Sequence, residues 1–383
     1  MNNAEKKPRT KREPLIYITK RSDLSLKKSL LIRAAVILGG ILCCAIITML
    51  LTGVNPINVF GSIINGSFGT PGKLWNLLQA AAILLGISVA VTPAFKMRFW
   101  NTGAEGQVLI GMLASVACMF YLKDSMPSFV TIIIMLVAST VAGALWAGIP
   151  GFFKAIWNTN ETLFTLMMNY VAMQLVSFFL LFWDPSHGYL NPLNSDTKNG
   201  WLPTLFGRKQ LIIILIVAVI TALVYVYLKR SKQGYEISVV GESENTARYI
   251  GINVKKVVIR TVLISGALCG VMGWLLVSGN SHTVSTTLVG GNGFTAIMVS
   301  WMSKFNPIIM VFSSLLVCFL QRGAGQIASD LGTEMPGASN IGDVLTGIMI
   351  LFVVASEFFV SYDVHFRRRT EKADKEVEKN VHA

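Results

Sequence analysis

The chain has 383 residues, 53% of them hydrophobic and 14% charged, with a mean hydropathy of +0.58. That balance excludes a soluble globular protein and places the chain among polytopic membrane proteins. Its net charge of +13 gathers in the first 33 positions, in one central loop and after Phe366, which is positive-inside bias and needs no nucleic acid as partner.

In chain order, residues 1–33 form a basic tail expected to be disordered or to lie on an anionic membrane surface. The apolar run behind it lacks a small-residue cleavage site, so no cleaved leader is expected. Runs near twenty apolar residues cross a hydrocarbon core of about 30 Å. They predict spans at 34–53, 74–95, 104–122, 129–148, 162–183 and 211–228, and, after a polar loop at 229–260, at 258–279, 292–303, 307–322 and 341–361. The eighth is short, because twelve helical residues cover only about 18 Å.

Counting it gives an all-α polytopic protein of about ten transmembrane helices with both termini on one side. On that topology the inner segments hold 27 of the 33 Lys and Arg, and the outer loops hold Lys73, Lys123, Lys198, Arg208 and Lys209. Arg322 is left at the end of the ninth span. The bias places both termini in the cytoplasm, with a membrane domain at 34–361 and a second basic tail at 362–383.

Cys43, Cys44, Cys118, Cys269 and Cys318 all lie in apolar runs and read as small buried hydrophobes. The longest outer loop, 184–210, is broken by Pro185, Gly188, Pro192, Gly200 and Pro203, and reads as a connector or as a seat for an external protein.

The loop at 229–260 is the one long hydrophilic interruption with helical grammar. Ser243 is an N-cap for a two-turn helix that stops at Gly251, and Asn253 caps the next helical segment. Ala247, Ile250, Val254 and Val257 recur at helical spacing, with Glu242, Glu244, Asn245 and Arg248 facing away. So short a helix is unstable alone and must be held by its surroundings. It reads as a solvated loop or as a docking helix for a soluble partner.

Two breaks interrupt the hydrophobic pattern, RFWNTGAEGQ after the second span and LVGGNGFT after the seventh. They fall at corresponding places in halves of opposite orientation, as inverted repeats with broken helices require. Asn101, Glu105 and Gln107 at the first break, and Asn292 and Thr295 at the second, are candidates for the path. Arg98 is one possible partner for Glu105, which a structural clamp would use as readily as a solute. In the fifth span Thr165 and Asn169 share a face, with Gln174 beyond them; these serve either as interhelical hydrogen bonds or as path lining.

RFWNTGAEGQVLIGMLA resembles the phenylalanine, asparagine, glycine, alanine, glutamate, glycine, glutamine signature of permeases for nucleosides and simple sugars. Trp100 here separates Phe99 from Asn101, and Thr102 stands where that family often has isoleucine. NETLFTLMMNY, GFTAIMVSWMSKFNP and QRGAGQI extend the likeness, and GESENTARYIGINVKKV resembles the loop by which permeases of ATP-binding-cassette importers grip their ATPases. The resemblance implies a permease subunit in a bacterial cell membrane, importing nucleosides received from a binding lipoprotein. It implies a second, paralogous permease and separate ATPase subunits that bind the ATP. Glu242, Ser243, Glu244, Asn245, Ala247, Arg248, Tyr249 and Gly251 would form the ATPase-coupling element.

No G-x-x-x-x-G-K-[ST] occurs, so ATP hydrolysis must be borrowed and no cofactor is expected in this chain. The alternatives are a ribose-type sugar permease and an ion-coupled transporter. The latter needs a deep carboxylate, whereas Glu105, Glu161, Asp343 and Glu357 all fall near span ends. A membrane enzyme is disfavoured by the scatter of His187, His282, His365 and His382.

Overall fold

The computed structural model describes residues 16–20, 25–52, 55–123, 125–185, 187–331 and 338–366. Two short strands, β1 (Ile16–Lys20) and β2 (Tyr362–Phe366), bracket a series of helices. These are α1 (Leu26–Thr52), α2 (Pro56–Phe68), α3 (Pro71–Lys96), α4 (Ala104–Tyr121), α5 (Ser128–Trp157), α6 (Glu161–Trp183) and α7 (Gln210–Arg230). After them come α8 (Lys232–Glu242), α9 (Glu244–Tyr249), α10 (Val254–Leu276), α11 (Asn292–Met302), α12 (Pro307–Leu331) and α13 (Ala338–Ser361). Nine of the described helices are long and apolar enough to cross a membrane, and α11, at 11 residues and counted in the sequence as a span, is not among them. The chain is thus a multi-pass, all-α membrane protein.

It divides into two compact units, one from Met1–Pro56 with Gly347–Ala383, the other from Ile57–Thr346. In the first, β1 pairs antiparallel with β2, Ile18 opposite Val364. Arg33 of α1 donates to Glu357 of α13 at 2.7 Å. Gly40 lets these helices touch, since a Cβ there would lie 2.8 Å from that of Phe352. Helix α1 begins eight residues before position 34, because Leu, Lys, Ile and Arg propagate a helix well. Of the basic tail expected at 1–33, residues 16–20 are strand and 26–33 belong to α1, while residues 1–15, 21–24 and 367–383 lie outside those described.

In the second unit α3 is almost wholly buried, with α4 and α10 beside it, while α5, α6 and α7 keep most of their surface on the outside. That outer surface is apolar, with Val137, Val141, Leu145, Leu215, Val219 and Leu223 exposed, as lipid contact requires. Helices α5 and α10 meet through glycine. A Cβ on Gly270 would collide with the Ser139 carbonyl, and one on Gly266 with the Gly143 carbonyl. Membrane helices associate through such close backbone approach, since lipid is as apolar as leucine.

The 13-residue α2 and the 11-residue α8 stand where the sequence suggested connecting loops. Helices α5 and α12 also run nine residues past the expected span ends. Helix α7 has the 184–210 loop at one end of the unit and α8 and α9 at the other. The loop is anchored: Asn199 donates to the Lys123 and Met126 carbonyls at 2.6 and 3.0 Å, and Asn194 to that of Met119 at 3.2 Å.

Candidate functional site

The two breaks meet. Helix α3 stops at Lys96 and the chain turns through Arg98, in the left-handed region at φ 61°, before α4 starts at Ala104. Helix α10 winds one π turn over Val277–Ser281, reverses at His282 (φ 56°) and returns to begin α11. The Glu105 carboxylate accepts from the Gly291 N–H at 2.9 Å and from the Gly293 N–H at 2.7 Å. A carboxylate from one break thus satisfies the free N–H groups that open the helix of the other. Gly293 is required, because a Cβ there would sit 2.5 Å from the Glu105 nitrogen.

The first break is closed by side chains of α6. Asn169 Oδ1 accepts from the Gly106 N–H at 2.8 Å while its Nδ2 donates to the Thr102 carbonyl at 2.9 Å. Thr165 Oγ1 accepts from the Thr102 N–H at 3.2 Å. Asn101 and Gln107 exchange two amide hydrogen bonds at 3.2 and 3.0 Å, and Asn101 Oδ1 also accepts from the Gly103 N–H. Asn101, Glu105, Gln107, Thr165 and Asn169 are all buried, at 3% exposure or less, with their polar atoms engaged. Thr295 is buried too and donates to the Gly291 carbonyl. These six form a clamp at the breaks. Gln174 lies apart, exposed on α6.

Open space lies on the loop side of the clamp. A cavity of about 460 Å³ is walled by α3, the π turn, the second break and α12, and Asn292, between the two glycines that hold Glu105, is part of its lining. Five amide side chains and two cations, Lys209 and Arg322, face it, with no carboxylate and no aromatic ring. Gln79 Nε2 donates to Asn280 Oδ1 across it at 2.8 Å. A second hollow of about 490 Å³ shares Ala80, Cys318, Gln321 and Arg322 with the first. Of these residues only Asn292 was among the sequence candidates. The signal for the others was present: Asn76 and Gln79 are amides one turn apart in an apolar run, and Arg322 a lone cation in an apolar helix.

The loop at 184–210 is fastened to the π turn. Trp201 stacks on His282 with ring centroids 3.6 Å apart, Leu193 N–H donates to the His282 carbonyl, and Leu202 N–H to that of Ser278. Burial and nearby Lys209 push the His282 imidazole down to about 4.

At the other end, Ser231 caps α8, Ser243 caps α9 and Asn253 caps α10, their side-chain oxygens accepting from the N–H three residues on at 2.9, 3.2 and 3.1 Å. Gly251 ends the turn at φ 84°. Ala247, Val254 and Val257 are buried, but Ile250 is exposed, because α9 stops at Tyr249 and the helical register ends with it. Ala247 anchors α9 to its own chain. Glu242, Glu244, Asn245, Arg248 and Tyr249 are exposed, Tyr249 at 92%. Helix α8 bears on the first break: Gly241 lies so close to the Lys96 carbonyl that a Cβ would collide with it.

The remaining carboxylates have structural partners. Glu161 pairs with Lys154 at 2.9 Å and Glu357 with Arg33, while the Asp343 side chain lies outside those described. Arg98, expected as a partner for Glu105, is exposed at the mouth of a different hollow with Lys96, Trp100 and Trp301. Among the described residues no group of His, Cys, Asp and Glu could hold a metal.

Residues 73–354 match the family described as branched-chain amino acid transport system, permease component. The chain is 27% identical to the glucose ABC transporter permease protein TsgB13 of Haloferax volcanii, over 88% of each chain. It is 26% identical to the guanosine ABC transporter permease protein NupP of Bacillus subtilis, over 84% of this chain and 92% of that one. It is 27% identical to the nucleoside ABC transporter permease protein NupB of Lactococcus lactis, over 85% and 91%. With its broken helices joined at Glu105 and most of its length matched, this chain belongs to the family of branched-chain amino acid transport system permease components.

Proposed function

We propose that this chain is one of two permease subunits of an ATP-binding-cassette importer in a bacterial cell membrane. It carries nucleosides handed over by a binding lipoprotein, and separate ATPase subunits drive it through α8 and α9. The observation that carries this reading is the polar cavity whose lining includes Asn292, flanked by the glycines that hold Glu105. A solute in the cavity would rest directly on the joint between the two breaks, and α8 bears on the first of them. Movement of α8 and α9 by an ATPase would reach that joint, so the cavity would open alternately to either side. The Lys and Arg bias supports cytoplasmic termini and a cytoplasmic α8–α9 segment.

A simple sugar is the second reading. It is favoured by a lining of amides and cations that suits hydroxyl groups and offers no ring to a base.

The test is purification of the tagged protein from its native membranes in mild detergent, paired with uptake of labelled nucleoside and hexose. ATPase subunits and a second permease should copurify, and uptake should survive collapse of the proton gradient while ATP is preserved. Uptake that stops with the gradient overturns the ATP-driven reading in favour of ion coupling.

A further inference from the structure

Arg322 has no role in the clamp. It sits sixteen residues into α12, an apolar helix that crosses the membrane. The residue lines both hollows and is exposed. Among the described residues its guanidinium has neither a carboxylate within salt-bridge distance nor a hydrogen-bond acceptor. A cation near a span end is held by water, a lipid headgroup, a protein partner or a solute, and the hollows give Arg322 a polar space to face.

The rest of the cavity narrows what that partner is. Lys209 is a second cation, the amides of Gln79, Asn280, Asn292 and Gln321 offer donors and acceptors, and no carboxylate lines the space to receive a cationic solute. No ring is available to stack a base. The chemistry therefore reads oxygen. A guanidinium presents its N–H groups as a rigid planar fork, which grips two adjacent oxygens where an ammonium grips one.

We infer that Arg322 is a specificity-determining residue that grips a vicinal diol, so that this chain selects its solute by the sugar hydroxyls and not by the base. Gln321 and the Gln79–Asn280 pair complete the oxygen-reading wall. Cationic solutes are rejected by Lys209 and Arg322 together. This rests on the importer reading above and deepens it: the shared feature of nucleosides and simple sugars, the diol, is what the cavity recognises.

The experiment uses the intact transporter with all its subunits. Uptake of labelled uridine is competed with uridine, D-ribose and 2′,3′-dideoxyuridine, and binding of the same three is measured by calorimetry on the purified complex. The wild type should discriminate against the dideoxy compound by about ten- to hundredfold, the range for a lost hydrogen-bond pair to a charged group. Arg322→Lys keeps the charge and loses the fork. It should reach the membrane at normal levels, raise KM and flatten the discrimination, which a merely structural arginine would not do.

Wild-type discrimination that persists in both Arg322→Lys and Arg322→Gln, or a wild type that binds the dideoxy compound as well as uridine, overturns the inference while leaving the importer intact. A complex that takes up neither nucleoside nor sugar, yet binds ribose in an Arg322-dependent way, overturns the importer reading and upholds the inference. Binding of none of the three overturns the inference as well.

Discussion

Replacing Glu105 isolates the joint between the breaks. Its two oxygens receive N–H groups at 2.9 and 2.7 Å, at a site only 3% exposed. Hydrogen bonds to a charged group contribute about 1.5–3 kcal/mol each, and a partly buried charge at a helix N-terminus adds up to about 2 kcal/mol. Glu105→Ala removes both acceptors and leaves two buried N–H groups to water or to nothing. The joint should then lose about 3–6 kcal/mol of stability. Glu105→Gln keeps one acceptor and turns an NH₂ toward the other N–H, so about half of that loss remains. The assay is thermal aggregation of the intact transporter in detergent, together with proteolysis of the 282–292 segment and solute uptake. The expected order in all three is wild type, then Gln, then Ala. An Ala variant with wild-type stability and protection, or a Gln variant as damaged as Ala, refutes the reasoning.

Three further outcomes are expected. Tyr249→Ala, at an exposed site on α9, should leave thermal stability unchanged but weaken retention of the ATPase subunits by about tenfold or more. Ala247→Glu, which buries a carboxylate, should lose both stability and retention, and normal copurification from either variant removes the docking assignment. The third outcome concerns pH. Because His282 is held near 4 against an ordinary 6.5, its imidazole takes up a proton first in the state where the loop is released as pH falls. Docking of the 184–210 loop is therefore at full strength above about pH 6.5 and weakens down towards pH 4. Amide exchange across the loop should slow through that range less than the falling hydroxide-catalysed rate alone requires. A flat profile, or a slope that survives in His282→Gln, counts against the stack as its cause.

The parts of the fold that could be read from sequence are those set by neighbours in the chain. Ser243, Asn253 and Gly251 declare the ends of α9 and α10 because a cap bonds three residues away and a left-handed turn needs only its own φ. The glycine-rich breaks were visible for the same reason. Their meeting was not: Glu105 is 186 residues from Gly291, and no local rule couples them. Thr165 and Asn169 share one face of α6, and that face closes the first break by accepting from the Thr102 and Gly106 N–H groups, contacts that the i, i+4 spacing could not name. Helix α2 has only 13 residues, fewer than a span needs, so a search for runs of about twenty apolar residues passes over it. Arg322 was counted as a leftover in the charge balance, which ranks residues by side of the membrane and says nothing about what they face.

The sheet between β1 and β2, with α1 beside α13, ties the beginning of the chain to its end. Arg33 and Glu357 are 324 residues apart. At about 5–20 residues per second of synthesis, roughly 16 to 65 seconds separate their appearance. The first span is therefore inserted long before the helix it finally rests on has been made. A nascent chain arrested just past position 331 would hold every helix from α2 to α12 and still lack the neighbour of its first.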